Sequence, residues 1–344
     1  MKTKKNTYWR WMGGWTAIAA ASSIFCGAPI DGQQGNLRFD FMQETHPTGL
    51  VPGLSMAVGS ALDFTVDSLD GDEISAIAST NASNKEAFSA GAEGKVLTLS
   101  AAEEGDTKIE VTVTLADGDT VADDFSMSAY HAKELALSHA CANITAGAGG
   151  DDVTATYLVD SDIWMQYFLY ADDSLLLKGY GYHPLEIEGE AELDLDRSSR
   201  DLAYLRIQAG SEPGEASLNP TLAGDSLNVR LARAEAIEGA AVIENISQFT
   251  DDRPRFGHIV PVIDGKPVCF ADVERTLENL TPEICEVEAA PDSDLSVQPQ
   301  ARVMLTRKSE GDCRFRVSYP AGNQGSGAST IFSVDANVSV LEEE

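Results

Sequence analysis

Apolar residues in this chain recur at every second position far more often than at helical spacing. Leu54, Met56 and Val58 alternate with other residues, as do Leu62, Phe64 and Val66, then Val229 and Leu231, and Phe332 and Val334. Alternation of period two puts successive side chains on opposite faces, so each run predicts a half-buried strand. Helical periodicity is confined to two short stretches, residues 272–279 and 232–238, which are predicted as short helices. Turn signals between the alternating runs come about every 8–12 residues, the spacing of an all-β sandwich or barrel.

The alternation is organised by an internal repeat. Residues 104–111 read EGDTKIEV and residues 310–317 read EGDCRFRV, and upstream Leu97 and Leu99 match Val303 and Leu305 at the same offset. Each copy reads as a strand, a turn at Glu-Gly-Asp and a second strand, which predicts a hairpin-like unit. A looser copy lies between them, where Leu205, Ile207 and Ala209 precede Pro213-Gly214 and then Ala216 and Leu218. Gly105, Gly214 and Gly311 are thus spaced by 109 and 97 residues. One sandwich module needs about 100 residues. The expected organisation is a signal segment at 1–26, a flexible tether at 27–35, and modules at 36–130, 131–236 and 237–344.

The last module carries Thr281-Pro282-Glu283-Ile284-Cys285-Glu286-Val287, then Gly311-Asp312-Cys313-Arg314-Phe315-Arg316-Val317, and Phe332-Ser333-Val334. This set resembles the bacterial immunoglobulin-like repeats of the Big type found in surface proteins. The resemblance implies an all-β fold of three consecutive immunoglobulin-like β-sandwich modules and a Cys285–Cys313 disulfide. The first module resembles the cysteine-free version through GDTKIEV, with Thr107 where the last has Cys313. The middle module departs most from the pattern.

The N-terminus changes the picture from fold to location. A basic stretch, MKTKKNTYWRWMGG, precedes an apolar run from Trp15 to Phe25 and then Cys26. That is the layout of a signal peptide. As a helix the apolar run would reach only about 16 Å, against a hydrocarbon core of about 30 Å, which disfavours a transmembrane anchor. Cys26 at its end resembles the acylated cysteine of bacterial lipoproteins, although Phe25 stands where a small residue is usual. An ordinary secretory cleavage is the alternative. Outside Cys26 the chain has Cys141, Cys269, Cys285 and Cys313, and export to an oxidising compartment favours pairing over metal ligation. A Cys141–Cys269 bridge would join two modules; free buried thiols and other pairings stay open.

The net charge is −31, and removing the first 26 residues takes away four basic side chains and no acidic one, giving −35. Such a surface repels nucleic acid and anionic lipid headgroups, so the membrane is reached only through a lipid anchor.

Candidate chemistry is sparse. No G-x-S-x-G elbow occurs, and His46, His131, His139, His183 and His258 lack metal or triad spacing. Opposed carboxylates cannot be singled out among 55 acidic residues, and GNQGSGAS lacks the Lys-Ser/Thr ending of a phosphate loop. No cofactor is implied except calcium, for which Asp67, Asp70, Asp72 and Glu73 are the first candidates and Asp117, Asp119, Asp123 and Asp124 the second. Neither group has EF-hand spacing. Five N-x-S/T sequons, at Asn81, Asn143, Asn245, Asn279 and Asn337, are expected to be silent in a bacterium.

The remaining unusual feature is IWMQYFLY at 163–170, apolar on both strand faces. One face is expected in the sandwich core, with Trp164 a candidate central tryptophan, and the other against a neighbouring module. Alternatively Tyr167, with Tyr180 and Tyr182, forms an exposed platform for stacking a sugar or peptide. The expected function is therefore a non-enzymatic cell-envelope protein with spacer or adhesion modules, exported as an outer-membrane lipoprotein or as a periplasmic or secreted protein. The alternative is a carbohydrate- or peptide-binding surface module; an enzyme ranks third. The partner is an unidentified protein or glycan at the cell surface.

Overall fold

A computed structural model of the chain describes residues 29–42, 55–139, 154–172, 175–190, 192–195, 204–242, 249, 253–269, 273–290, 302–320 and 328–336. The signal segment, Cys26 and Cys141 lie outside the described residues.

The first sandwich contains β1 (Ile30–Asp31), β2 (Leu37–Phe41), β3 (Ser55–Ala57), β4 (Ala61–Ser68), β5 (Ile74–Ala82), β6 (Phe88–Glu93), β7 (Val96–Ala101), β8 (Gly105–Leu115) and β9 (Thr120–Tyr130). Its sheets run β1-β2-β4-β7-β6 and β3-β9-β8-β5.

The second contains β10 (Glu134–His139), β11 (Ala155–Leu158), β12 (Asp162–Tyr170), β13 (Leu176–Leu177), β14 (Leu185–Gly189), β15 (Leu193–Leu195), β16 (Tyr204–Ala209), β17 (Gly214–Pro220) and β18 (Leu227–Ala232). Its sheets run β10-β12-β16-β15, with β13 added beside β12, and β11-β18-β17-β14.

The third contains β19 (Gly239–Val242), β20 (Arg255–Ile263), β21 (Lys266–Pro267), β22 (Thr276–Asn279), β23 (Cys285–Ala289), β24 (Arg302–Arg307), β25 (Asp312–Tyr319) and β26 (Ala328–Asp335). Its sheets run β19-β20-β24-β23, with β21 beside β20, and β22-β25-β26.

With the short strands β1, β3, β11, β13 and β21 set aside and the other seven of each sandwich lettered A to G in chain order, every sandwich puts strands A, B, E and D in one sheet and C, F and G in the other, which is the immunoglobulin strand arrangement. In the first two sandwiches a short strand, β3 or β11, runs parallel to the last strand, β9 or β18. Each pair of sheets closes on its own apolar cluster. In the first, Leu97 and Leu99 of β7 and Ile109, Val111 and Val113 of β8 are fully buried, as their alternation requires.

The repeated unit is an arch, where a hairpin was expected. β7 pairs with β4 and β6, whereas β8 pairs with β5 and β9, so the chain crosses between sheets at Gly105. β16 to β17 and β24 to β25 cross in the same way. Alternation specifies which face is buried but not which strand is the neighbour, so the two layouts read alike in sequence. Gly311 has φ +135°, and a Cβ there would lie 2.7 Å from Ile284 Cδ1; Gly105 is similarly positive at φ +156°. Gly214 shares the place in the topology without the positive φ.

The expected short helix at 272–279 is replaced in part by β22, whose Leu277 pairs with Val317. Cross-strand pairing there overrides a weak local helical pattern. The second expected helix reduces to one 3₁₀ turn at Ala234–Ala236.

Candidate functional site

The aromatic residues singled out in the second module do not form an open platform. On β12 the buried face is Ile163, Met165, Tyr167 and Leu169, and Tyr167 is only 2% exposed. Trp164 occupies an alternate position of the strand and its side chain lies outside the described residues. Tyr167 donates its hydroxyl to Gly179 O at 3.4 Å and packs edge-on against the His183 ring, 5.4 Å between centroids.

Tyr180 crosses into the first sandwich. Its N–H donates to Ala61 O at 2.9 Å, its carbonyl accepts from Ala61 N–H at 3.0 Å, and its hydroxyl donates to Asp63 Oδ2 at 3.1 Å. Asp63 is 1% exposed and also accepts from Thr98 Oγ1 at 2.6 Å. Tyr182 lies over Gly59, where a Cβ would come within 3.2 Å of its ring.

Lys178 completes this joint. Its N–H donates to Ser55 O and its carbonyl accepts from Ala57 N–H, both at 2.9 Å. Its ammonium lies 4.6 Å above the Phe41 ring, and burial pulls its pKa below the ordinary lysine value. Gly179 is indispensable here: it has φ +126°, and a Cβ would fall 1.8 Å from Ser60 Oγ.

The second joint repeats the pattern. Val268 bridges Thr156 of β11 in parallel, and Cys269 N–H donates to Thr156 O at 2.7 Å. Cys269 is fully buried, is disulfide-bonded, and packs into the core of the second sandwich together with Val260.

Cys285 and Cys313 are bonded to each other, with 5.5 Å between their Cα atoms. They tie the start of β23 in one sheet to β25 in the other.

The acidic candidates for calcium are not gathered. Asp67, Asp70, Asp72 and Glu73 stand exposed along one turn. Among the described residues no three His, Cys, Asp or Glu side chains converge as a metal site would require. Asp117 and Asp119 are also exposed, but Asp123 is 1% exposed and has a different role. Its carboxylate accepts from the backbone N–H groups of Gln34, Asn36, Leu37 and Asp124 at 2.7–2.9 Å. Burial pushes its pKa up, yet the four backbone donors outweigh this and hold it below the usual carboxylate value.

The segment at 29–35, expected to be part of a flexible tether, is therefore ordered. β1 pairs with β2, and the turn between them wraps the Asp123 carboxylate so closely that a Cβ on Gly32 would lie 2.1 Å from Asp123 Cγ. Glycine and glutamine read as linker composition, and only the buried acid far along the chain shows otherwise.

One feature went unsignalled in the sequence. The outer face of the β3-β9-β8-β5 sheet carries a groove of about 430 Å³ lined chiefly by Ser55, Ser83, Asp106, Lys108, Ser126 and Ser128. Ser83 Oγ accepts from the Lys108 N–H at 2.9 Å, Lys108 Nζ lies 3.1 Å from Asp124 Oδ1, and Gln33 Nε2 donates to Ser126 Oγ at 3.2 Å. Alternating serines mark a solvated strand face in sequence, and only pairing of four strands makes them one surface. Its hydroxyls and opposite charges suit hydrogen bonding to a polyol, and within it Ser128 Oγ donates to Asp106 Oδ1 at 2.5 Å.

Among the described residues no helix is long and apolar enough to cross a membrane. No protein-family model matches the sequence, and no curated protein does. Among solved structures, domains 5–6 of the S-layer protein SbsC align with 53% of this chain and 93% of their own at 10% identity and a TM-score of 0.25. Invasin, a bacterial integrin-binding protein, aligns over 82% of this chain and 57% of its own at 10% identity and a TM-score of 0.25. The Bacteroides ovatus protein SGBP-B of a mixed-linkage glucan utilization locus, solved with a heptasaccharide, aligns over 88% and 71% at 9% identity and a TM-score of 0.25. The immunoglobulin-like assignment rests on the strand order within each sandwich rather than on these likenesses.

Proposed function

We propose that this chain is a non-enzymatic, exported cell-envelope protein whose immunoglobulin-like modules act as a coupled spacer or adhesion unit. The observation that carries this reading is the use of the aromatic side chains best suited to stack a ligand: Tyr180 and Tyr182 are committed to holding the second sandwich on the first, and Tyr167 is buried beneath the connection that carries them. Disulfide-bonded cysteines in the third sandwich fit an oxidising compartment, and the acidic coat keeps such a protein dispersed. In this reading Cys26 is the acylated anchor of an outer-membrane lipoprotein. Cys269 pairs with Cys141, locking the second and third modules.

Fractionation of cells expressing the full chain tests it. Recovery in the envelope with fatty-acid label, lost in Cys26→Ser, supports an anchored spacer. Recovery in the cytosol with reduced cysteines, or turnover on an ester, glycoside or peptide panel, refutes it.

Glycan binding is favoured as a second reading by the hydroxyl-lined groove on the first sandwich, in place of the aromatics of the second. Retardation on a polysaccharide gel that is relieved by Lys108→Ala would support it. Unchanged mobility on every polysaccharide tried would count against it.

A further inference from the structure

The two joints are built from topologically equivalent parts. In the first sandwich the connection from strand B to strand C, β4 to β5, spans only residues 69–73. In the second it spans residues 171–184, and in the third residues 264–275. Both long connections fold back as a short hairpin strand on strand B, with Leu177 opposite Leu169 and Pro267 opposite Val262. The residue directly after each short strand then bridges in parallel to the short strand of the preceding sandwich. Lys178 meets Met56 of β3, and Val268 meets Thr156 of β11.

Such agreement in four respects, the connection used, the hairpin, the bridging position and the receiving strand, is not expected of chance contact between domains. Interfaces between consecutive domains are ordinarily small and polar, and leave the domains free to move. Here the receiving strand is hydrogen-bonded on one side to strand G of its own module and on the other to the incoming connection. Apolar contacts also cross the seams: Ala57 belongs to the core of the second sandwich, and Leu158 and Ala232 to that of the third.

We propose that the B–C connection of each following module is a clasp, and that the parallel edge strand of the preceding module is its dedicated docking site. The clasp sets the orientation of neighbouring modules independently of what the chain binds. The partner of each docking strand is thus a backbone segment of this same chain, presented in extended form. Side chains differ between the joints: Tyr180 and Lys178 secure the first, and buried Cys269 the second.

Hydrogen exchange on the full chain tests this residue by residue. The amides of Ala57, Ala61, Lys178, Tyr180 and Cys269, all donors across a joint, are expected to exchange as slowly as core amides such as Val111. Gly179→Ala, which drives a Cβ into Ser60, should speed the first four about tenfold or more, leaving Cys269 and Val111 unchanged. Gly181→Ala, also at positive φ but with open space around it, should have a smaller effect. Free-peptide exchange at the joint amides of the unaltered chain, beside protected core amides, would overturn the proposal, as would an unchanged joint in Gly179→Ala. Should that variant unfold altogether, the unaltered chain alone still decides.

Discussion

Tyr180 and Asp63 stand 117 residues apart in the chain, and the tyrosine hydroxyl of the second sandwich donates to the buried carboxylate of the first. The ring passes over the seam between modules and brings a polar group to an acid that burial would otherwise penalise. Replacing Tyr180 with Phe keeps the ring and deletes the donor. The expected loss is about 1.5–3 kcal/mol, the range for a hydrogen bond to a charged group. Urea denaturation of the single variants and of Tyr180→Phe with Asp63→Asn would measure the coupling. Additive effects would show that the pair does not act across the joint.

The Asp123 carboxylate makes the ordered N-terminal turn sensitive to acid. Because its folded pKa lies below the ordinary value of 3.8, the unfolded chain binds more protons in that window, and the stabilisation is complete only above that value. It is lost as pH falls through the folded pKa. Amide signals of Asn36 and Leu37 should shift in the same acid transition. Asp123→Asn should cost about 1–3 kcal/mol at neutral pH by turning amide hydrogens toward backbone donors, and should flatten the acid limb of the stability profile.

Lys178 gives the same sign of pH dependence at the alkaline end of the range. Its folded pKa lies below the ordinary 10.5, so between the two values the unfolded chain again holds more protons and stability rises with pH. Denaturation midpoints followed from neutral pH towards 10.5 should climb in the parent protein more than in Lys178→Met. Equal slopes would place the lysine in an environment like water.

The Cys285–Cys313 bond closes a loop of 28 residues, for which chain entropy alone gives about 3–4 kcal/mol. Cys285→Ser with Cys313→Ser should lower the melting transition of the third sandwich. The first, with Thr107 at the equivalent place, should melt unchanged. A shift of similar size in the first sandwich would mean that the two unfold together.

How far the fold was legible depends on the range of each signal. Leu97, Leu99, Ile109 and Val111 announced half-buried strands because period-two alternation is written into neighbouring residues. That β7 and β8 lie in opposite sheets was not legible, since both arrangements bury the same side chains. Tyr167, Tyr180 and Tyr182 were recognisable as unusual, but their sequence does not separate packing in a core or against a neighbouring module from an exposed platform. Asp63 and Gly59 give no sign in sequence that they receive Tyr180 and Tyr182. Asp123 looked like one more acidic turn residue, because nothing local separates a solvated aspartate from one enclosed by residues 32–37.

By itself the sequence determined the strand-forming faces, the recurrence of a unit of sandwich size, the acidity of the surface and a cysteine pair in the last module. The first three follow from spacing and composition, which act within a few residues or over the whole chain, and the cysteine pair was implied by the resemblance to bacterial immunoglobulin-like repeats. Only the tertiary structure decided which strands share a sheet, that the N-terminal turn closes on Asp123, and that the aromatic connection is a joint. Each of these depends on backbone hydrogen bonds and burial between residues far apart in sequence, where the partner's position supplies the missing half of the interaction.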